Sequence, residues 1–193
     1  MSQDALCSVE KAILVTGLPG SGKSIFGSVA AARGIPVINM GDIIRGIARE
    51  RSLETTDKNL GMIAKEIREK LGNAAVAILA LEKACASGSK LVVIEGVRSL
   101  EELRYIQEKV SQSVLIAFHS SPRTRFRRLM ERGRKDDPKS WEEFKERDHR
   151  ELSFGIGSVI ALADVMIVNE NLSITQLSAI VEDALNKILT GDD

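Results

Sequence analysis

The sequence predicts an α/β domain in which helices cover both faces of a five-stranded parallel sheet. Short apolar runs recur along the chain, and they are continuous rather than alternating, as expected for strands buried on both faces. Helical patterns lie between these runs, and such alternation is typical of a three-layer sandwich with a parallel sheet. The predicted strands are residues 12–16, 36–40, 91–96, 113–120 and 163–169, and the predicted helices are residues 22–33, 43–51, 58–86, 99–110, 122–132, 139–151 and 173–190.

Size and charge fit one globular domain over residues 1–193. The chain is 44% hydrophobic and 28% charged, and 27 basic side chains balance 27 acidic ones. This balance gives no reason to expect a nucleic acid or a membrane surface as a partner. The longest apolar-looking run, residues 156–168, is too short to span a membrane and contains Asp164.

The two cysteines and the first residues bear on the location of the protein. Cys7 and Cys85 lie 78 positions apart, a spacing typical neither of a metal site nor of a disulfide framework. Both are therefore expected to be free thiols in a reducing compartment. Residues 1–15 carry acids and no basic segment before the first apolar run, which argues against a signal peptide. Together these features predict a cytoplasmic protein.

A glycine-rich loop follows the first predicted strand. Residues 17–24 read GLPGSGKS and match the pattern G-x-x-x-x-G-K-[ST] directly before a predicted helix. The glycines let successive backbone N–H groups point at phosphate oxygens, and the helix presents the positive end of its dipole to the same anion. We expect Lys23 to reach the β and γ phosphates of ATP and the Ser24 hydroxyl to bind Mg²⁺. The predicted ATP-binding residues of this P-loop NTPase fold are Gly17, Leu18, Pro19, Gly20, Ser21, Gly22, Lys23 and Ser24.

Two later segments place an arginine near the end of a predicted strand. Asp42 and Arg45 follow the second strand three residues apart, so they can face the same way on a helical turn. Glu95 ends the third strand, where a carboxylate can hold Mg²⁺ through water, and Arg98 follows it. Because ligands bind at the carboxyl ends of parallel strands, Arg45 and Arg98 can converge on a second anion beside the donor. The alternative is that Asp42 caps a helix and that both arginines are solvated surface residues.

These motifs resemble those of the adenylate kinase branch of the nucleoside monophosphate kinases. In that family a G-D-x-x-R element and a D-G-x-P-R element bind the acceptor monophosphate, which implies acceptor-phosphate roles for Arg45 in GDIIR and Arg98 in EGVR. The chain departs from the pattern in having Glu95 for the usual aspartate and in lacking a proline before Arg98. Residues 51–77 more specifically resemble archaeal adenylate-kinase-related proteins, and that resemblance extends over almost the whole chain.

An arginine-rich segment lies between the fourth and fifth predicted strands. On a helix, Phe126, Leu129 and Met130 are expected to form one apolar stripe. Arg125, Arg128 and Arg132 are expected to share another face. A solvated face and a nucleic-acid contact are two interpretations, but neighbouring acidic residues weaken the second. A third is a lid, because arginines brought in by closure stabilise a transferring phosphate and exclude water.

The order of the charged residues in this segment is similar to that of the adenylate kinase lid. That lid carries R-x-x-x-R, then R-x-D-D, then an arginine on a returning helix, and Arg128, Arg132, Arg134 and Arg147 follow the same order here. The resemblance implies that Arg128 lies near the donor base and that the other three lie near the transferring phosphate. It also implies a lid over residues 122–153 and a helical acceptor-binding insertion over residues 43–87. The predicted acceptor-binding residues are Asp42, Arg45 and Arg98.

The leading hypothesis is Mg²⁺-dependent transfer of the γ-phosphate of ATP to a nucleoside monophosphate such as AMP. An acceptor phosphate is already ionised, so positioning and positive charge suffice. A dephospho-coenzyme A kinase is an alternative, since Asp42 could act as base for a hydroxyl acceptor. An ATPase or a sensor of ATP and AMP is another. The predicted catalytic residues are Lys23, Arg132, Arg134 and Arg147.

Overall fold

The computed structural model of the chain describes residues 7–191. Its strands are β1 (Lys11–Thr16), β2 (Val37–Asn39), β3 (Leu91–Glu95), β4 (Gln112–His119) and β5 (Val165–Val168). They form one sheet in the order β2-β3-β1-β4-β5, and every neighbouring pair is parallel. The predicted five-stranded parallel sheet is confirmed.

Helices connect the strands; one prediction about them is wrong, and one helix was not predicted. The helices are α1 (Ser24–Ala32), α2 (Met40–Glu50), α3 (Asp57–Leu71), α4 (Ala75–Cys85), α5 (Leu100–Lys109), α6 (Pro122–Arg132), α7 (Trp141–Ser153), α8 (Ile156–Ala161) and α9 (Ile174–Thr190). The single helix predicted over residues 58–86 is two, because α3 ends at Leu71 and the next residue, Gly72, has a positive φ of 87° that does not continue a helix. The short helix α8 was not predicted, since its six residues carry no clear helical period.

Two apolar clusters lie on opposite faces of the sheet and make the three layers. Successive side chains of a strand point to opposite faces, so Leu14 packs into one cluster while Ile13 and Val15 pack into the other. Helices α1 and α9 cover the Ile13 face, and helices α2 to α5 with α8 cover the Leu14 face. Both faces are therefore buried, which explains why the strand sequences are continuously apolar.

The cysteine prediction is wrong, because Cys7 and Cys85 form a disulfide. The pairing of β1 with β3 brings the chain before β1 alongside the segment between α4 and β3. There the N–H groups of Glu10 and Lys11 both donate to the Lys90 carbonyl, and the two cysteine Cα atoms lie 4.8 Å apart. Sequence spacing could not reveal this, because the sheet sets the proximity. Because the two cysteines are paired, they no longer indicate a reducing compartment.

The membrane and leader predictions have different outcomes. Within residues 7–191 we find no helix with the length and apolar character needed to cross a bilayer. The apolar-looking run at residues 156–168 is instead helix α8 followed by strand β5. The prediction that a signal peptide is absent concerns residues 1–15, of which residues 1–6 lie outside the described part of the chain.

Candidate active site

The phosphate loop joins β1 to α1 at the carboxyl edge of the sheet, as its sequence predicts. Gly20 and Gly22 both have a left-handed backbone, with φ values of 84° and 96°. A Cβ atom at Gly20 would lie 2.7 Å from the Arg125 carbonyl oxygen, and one at Gly22 would collide with the Asn169 amide. These positions therefore require glycine for packing as well as for conformation.

Lys23 folds back over the loop. Its Nζ donates a hydrogen bond of 3.0 Å to the Gly17 carbonyl oxygen. Burial, together with the positive charge of Arg98, lowers the pKa of the Lys23 ammonium to about 8. The group is therefore charged at neutral pH and becomes neutral in mildly alkaline solution.

This pKa predicts that affinity for ATP falls as the pH rises through 8. The phosphates of ATP favour the protonated lysine, and at pH 9 only about one tenth of the free protein carries that proton, so the dissociation constant should rise about tenfold between pH 7 and pH 9. Titration of ATP at pH 7, 8 and 9 measures this. Lys23→Met is the control. It should bind ATP weakly, and its dissociation constant should not show the same dependence on pH. A pH-independent affinity of the unmodified protein would contradict the prediction.

Glu95 ends β3 beneath the loop and is buried. Its Oε1 accepts a hydrogen bond of 3.0 Å from the Gly27 N–H, and its Oε2 accepts one of 2.9 Å from the Asn39 amide. Loss of solvation raises the pKa of the Glu95 carboxyl above its ordinary value. Sequence reasoning missed Asn39, which is simply the last residue of β2. It also caps α2 by accepting from the Asp42 N–H, so the alternative that Asp42 caps this helix is wrong.

The residues near the loop fit Mg²⁺ that is bound together with nucleotide phosphates. Among residues 7–191, no group of three or more histidine, cysteine or acidic side chains is arranged to hold a metal alone. Ser24 and Glu95 line the same cleft and offer a hydroxyl and a carboxylate. Mg²⁺ prefers such oxygen ligands and usually takes only one or two carboxylates beside substrate phosphates.

A cleft of about 510 Å³ at this edge of the sheet gathers most of the predicted site residues. Gly17, Leu18 and Ser21 instead shape the loop, where the Ser21 N–H donates to the Leu18 carbonyl. The predicted residues that line the cleft are Pro19, Gly20, Gly22, Lys23, Ser24, Asp42, Arg45, Glu95, Arg98, Arg128, Arg132, Arg134 and Arg147. Residues far apart in the sequence therefore meet where the topology predicts.

Arg45 and Arg147 surround one buried carboxylate. The Oδ2 atom of Asp136 lies 3.3 Å from Arg45 Nη1 and 3.6 Å from Arg147 Nη2. Arg45 Nε also donates to Asp42 Oδ1 at 2.9 Å. Two guanidinium groups from different helices therefore meet around a single anionic position, with Asp136 in it.

Arg98 connects the cleft to a smaller space of about 50 Å³, which we name the inner compartment. Its Nη1 donates to Glu151 Oε1 at 3.1 Å. The two spaces adjoin, because they share the lining residues Gly41, Arg45, Arg98, Asp136 and Arg147. The remaining residues of the inner compartment are Ile44, Asp57, Leu60, Gly61, Ala64, Arg150, Glu151 and Phe154.

Three arginines of the segment after β4 face the cleft. Arg128 donates to the Asn169 carbonyl and to its side-chain oxygen at 3.2 and 3.1 Å, beside the end of β5. Arg132 pairs with both oxygens of Asp137. The Arg134 N–H also donates to that carboxylate, at 2.9 Å, while its side chain lines the cleft. Asp137 therefore holds Arg132 and Arg134 near each other.

Arg125 differs from its neighbours because it is only 2% exposed. Its guanidinium pairs with both carboxylate oxygens of Asp148, stacks on the Phe144 ring, and donates to the Pro19 carbonyl at 3.3 Å. It thus ties helix α7 to the phosphate loop, a role that the sequence did not indicate.

The apolar stripe predicted on α6 is only partly formed. Leu129 is buried and Phe126 packs on Trp141, but Met130 is exposed. Helix α7 covers the Phe126 side of α6, while the Met130 side faces solvent. The stripe prediction is therefore wrong for Met130.

Comparison with known proteins shows the protein family to which this chain belongs. Residues 16–145 match the AAA domain family. Over 179 residues the chain is 49% identical to a UPF0200 protein of Hyperthermus butylicus, covering 93% of this chain and 95% of the relative. It is 45% identical to UPF0200 protein TK1334 of Thermococcus kodakarensis, covering 92% and 98%. The chain belongs to the UPF0200 family.

Solved structures with the same architecture include shikimate kinases. That of Bacteroides thetaiotaomicron gives a TM-score of 0.59 at 17% identity, covering 93% of this chain and 98% of the other. That of Acinetobacter baumannii in complex with shikimate gives 0.59 at 16% identity, covering 99% of both. These likenesses show that this UPF0200 protein has the α/β fold of P-loop kinases, as its sequence predicts.

Proposed function

We propose that the protein transfers the γ-phosphate of Mg-ATP to a nucleoside monophosphate with an AMP-like structure. The observation that carries the proposal is the convergence of Arg45, Arg98 and Arg147 beside the phosphate loop. Arg98 and Arg147 line the same cleft as Lys23, so in this proposal their guanidinium groups lie beside the donor phosphates. A hydrolase needs no second anion site at this place, whereas a kinase with a phosphorylated acceptor does.

The donor half of the site is the loop with its neighbours. Backbone N–H groups and Lys23 hold the β and γ phosphates. Ser24 and Glu95 would hold Mg²⁺, which would neutralise negative charge on these phosphates. Arg128 beside Asn169 would contact the donor base.

The transfer itself relies on positive charge. Arg132, Arg134 and Arg147 would stabilise the negative charge spread over the transferring group, and no general base is required. In our proposal residues 122–153 are the lid and residues 43–87 bind the acceptor. Ion pairs join the two segments, including Arg45 with Asp136 at 3.3 Å and Arg150 with Asp57 at 2.6 Å.

A hydroxyl-directed kinase is the second candidate. The Asp42 side chain is 62% exposed and lines the cleft beside Arg45, where it could take a proton from a hydroxyl acceptor. Shikimate kinases have the same fold, and one was solved with shikimate. A dephospho-coenzyme A acceptor would make the same demand on Asp42.

An acceptor panel tests these possibilities. The protein is incubated with Mg-ATP alone and with AMP, CMP, UMP, GMP, shikimate or dephospho-coenzyme A, and the products are separated by chromatography. We expect a diphosphate product from at least one nucleoside monophosphate, well above the background. Asp42→Asn should retain this activity, because the acceptor phosphate needs no base. Phosphorylation of a hydroxyl acceptor that Asp42→Asn abolishes would favour the second candidate. ADP release that ignores every acceptor would indicate an ATPase.

A further inference from the structure

The inner compartment contains a carboxylate oxygen without a hydrogen-bond partner. Glu151 lies on α7, and its side chain is only 4% exposed. Its Oε1 accepts from Arg98, but its Oε2 is buried and has no hydrogen-bond partner within residues 7–191. A buried acceptor left unpaired costs free energy, and such groups in folded proteins call for an explanation.

The other acids of the compartment differ from Glu151. Asp57 Oδ1 accepts from Arg150 at 2.6 Å, and Asp136 Oδ2 lies between Arg45 and Arg147. Neither has a buried oxygen without a partner. Among the described acidic residues of this compartment, Glu151 therefore has the buried carboxylate oxygen that accepts no hydrogen bond.

The carboxylate of Glu151 restricts which chemical group of a ligand can bind to it. An ionised carboxylate only accepts hydrogen bonds, so the ligand group must be an O–H or N–H donor. Glu151 shares Arg98 with the proposed acceptor phosphate, and its charge also acts on Lys23. The donor group must therefore lie close to that phosphate, where a nucleotide has its sugar rather than its base.

We propose that Glu151 determines acceptor specificity by accepting a hydrogen bond from a ribose hydroxyl of the acceptor monophosphate. This inference rests on the proposed function, and it requires an acceptor whose sugar carries the hydroxyl that Glu151 binds. Carboxylates bind ribose hydroxyls in other nucleotide sites by the same contact. Ile44, Leu60 and Phe154 are apolar residues of this compartment, whose volume of about 50 Å³ leaves room beside them for part of the sugar but not for the base.

The test compares AMP with 2′-deoxy-AMP and 3′-deoxy-AMP, by kcat/KM with Mg-ATP and by calorimetric binding without ATP. AMP should exceed at least one deoxy analogue by roughly 10- to 100-fold, because removing the hydroxyl leaves a buried charged acceptor unpaired. Glu151→Leu should bring this ratio close to one. Glu151→Gln, which keeps a neutral acceptor, should give an intermediate ratio.

A control variant distinguishes two roles of Glu151, binding of the sugar hydroxyl and positioning of Arg98. Glu102 accepts from the Arg98 N–H at 2.8 Å but is not part of the inner compartment. Glu102→Gln should therefore change kcat/KM for AMP and for both deoxy analogues by the same factor. The ratio of AMP to each deoxy analogue should stay the same. If Glu151→Leu also lowers kcat/KM for AMP and for both deoxy analogues by the same factor, Glu151 only positions Arg98 and the inference is wrong.

The remaining outcomes distinguish the inference from the proposed reaction. Transfer to AMP without any preference over the deoxy analogues would overturn the inference alone. Preferential binding of AMP without transfer would support Glu151 as the ribose contact and overturn the kinase reaction. If AMP neither binds nor reacts, both proposals fail.

Discussion

Replacing Arg45 and Arg98 together by alanine is expected to lower acceptor-dependent turnover by about 10²- to 10⁴-fold, because each charged hydrogen bond to the acceptor phosphate contributes roughly 1.5–3 kcal/mol. ATP binding should persist, since the loop and Lys23 are unchanged. Steady-state kinetics with the best acceptor and a separate ATP titration measure the two effects.

A surface arginine provides the matched control for this variant. Arg33 pairs with Glu182 at 3.0 Å at the end of α1 and does not line the cleft. Arg33→Ala should leave both turnover and ATP binding unchanged. Unchanged turnover in the Arg45→Ala, Arg98→Ala protein would show that these arginines do not hold the acceptor.

Arg125→Ala should lower the free energy of unfolding by about 3–5 kcal/mol, as expected when one partner of a buried ion pair is removed. Asp148 would keep a largely buried charge without its partner, and the Pro19 carbonyl would lose a donor. Arg125→Lys should cost less, because it keeps the charge but not the paired contact. Denaturant unfolding measures both variants.

Arg127 is the control for Arg125, because it lies exposed on the same helix. Arg127→Ala should change the free energy of unfolding by less than about 0.5 kcal/mol. Where Arg125→Lys remains folded, its ATP affinity should fall, since the guanidinium no longer supports Pro19. Wild-type stability of Arg125→Ala would contradict the assignment of this residue as a link between α7 and the loop.

The sequence could predict those parts of the site that depend on local pattern and topology. The phosphate loop is contiguous, so spacing alone identifies it. Arg45 and Arg98 follow strand ends, and a parallel sheet necessarily brings strand ends to one edge. Their convergence in one cleft therefore needed no knowledge of tertiary contacts.

The parts that could not be predicted depend on partner choice across the fold. Arg125 looks like its neighbours in sequence, and only the approach of Asp148 on α7 makes it a buried structural residue. Glu151 lies in an ordinary charged helix, and its unpartnered oxygen is visible only beside Arg98. The disulfide has the same origin, because the pairing of β1 with β3 brings Cys7 to Cys85.

Phosphoryl transfer to AMP is tested most directly by following the fate of the γ-phosphate of ATP. The protein is incubated with AMP and with ATP radiolabelled at its γ-phosphate, and the nucleotides and inorganic phosphate are separated by chromatography. We expect the label to move to the ADP formed from AMP, with little label in inorganic phosphate. Label that is released as inorganic phosphate at the same rate with and without AMP would contradict it.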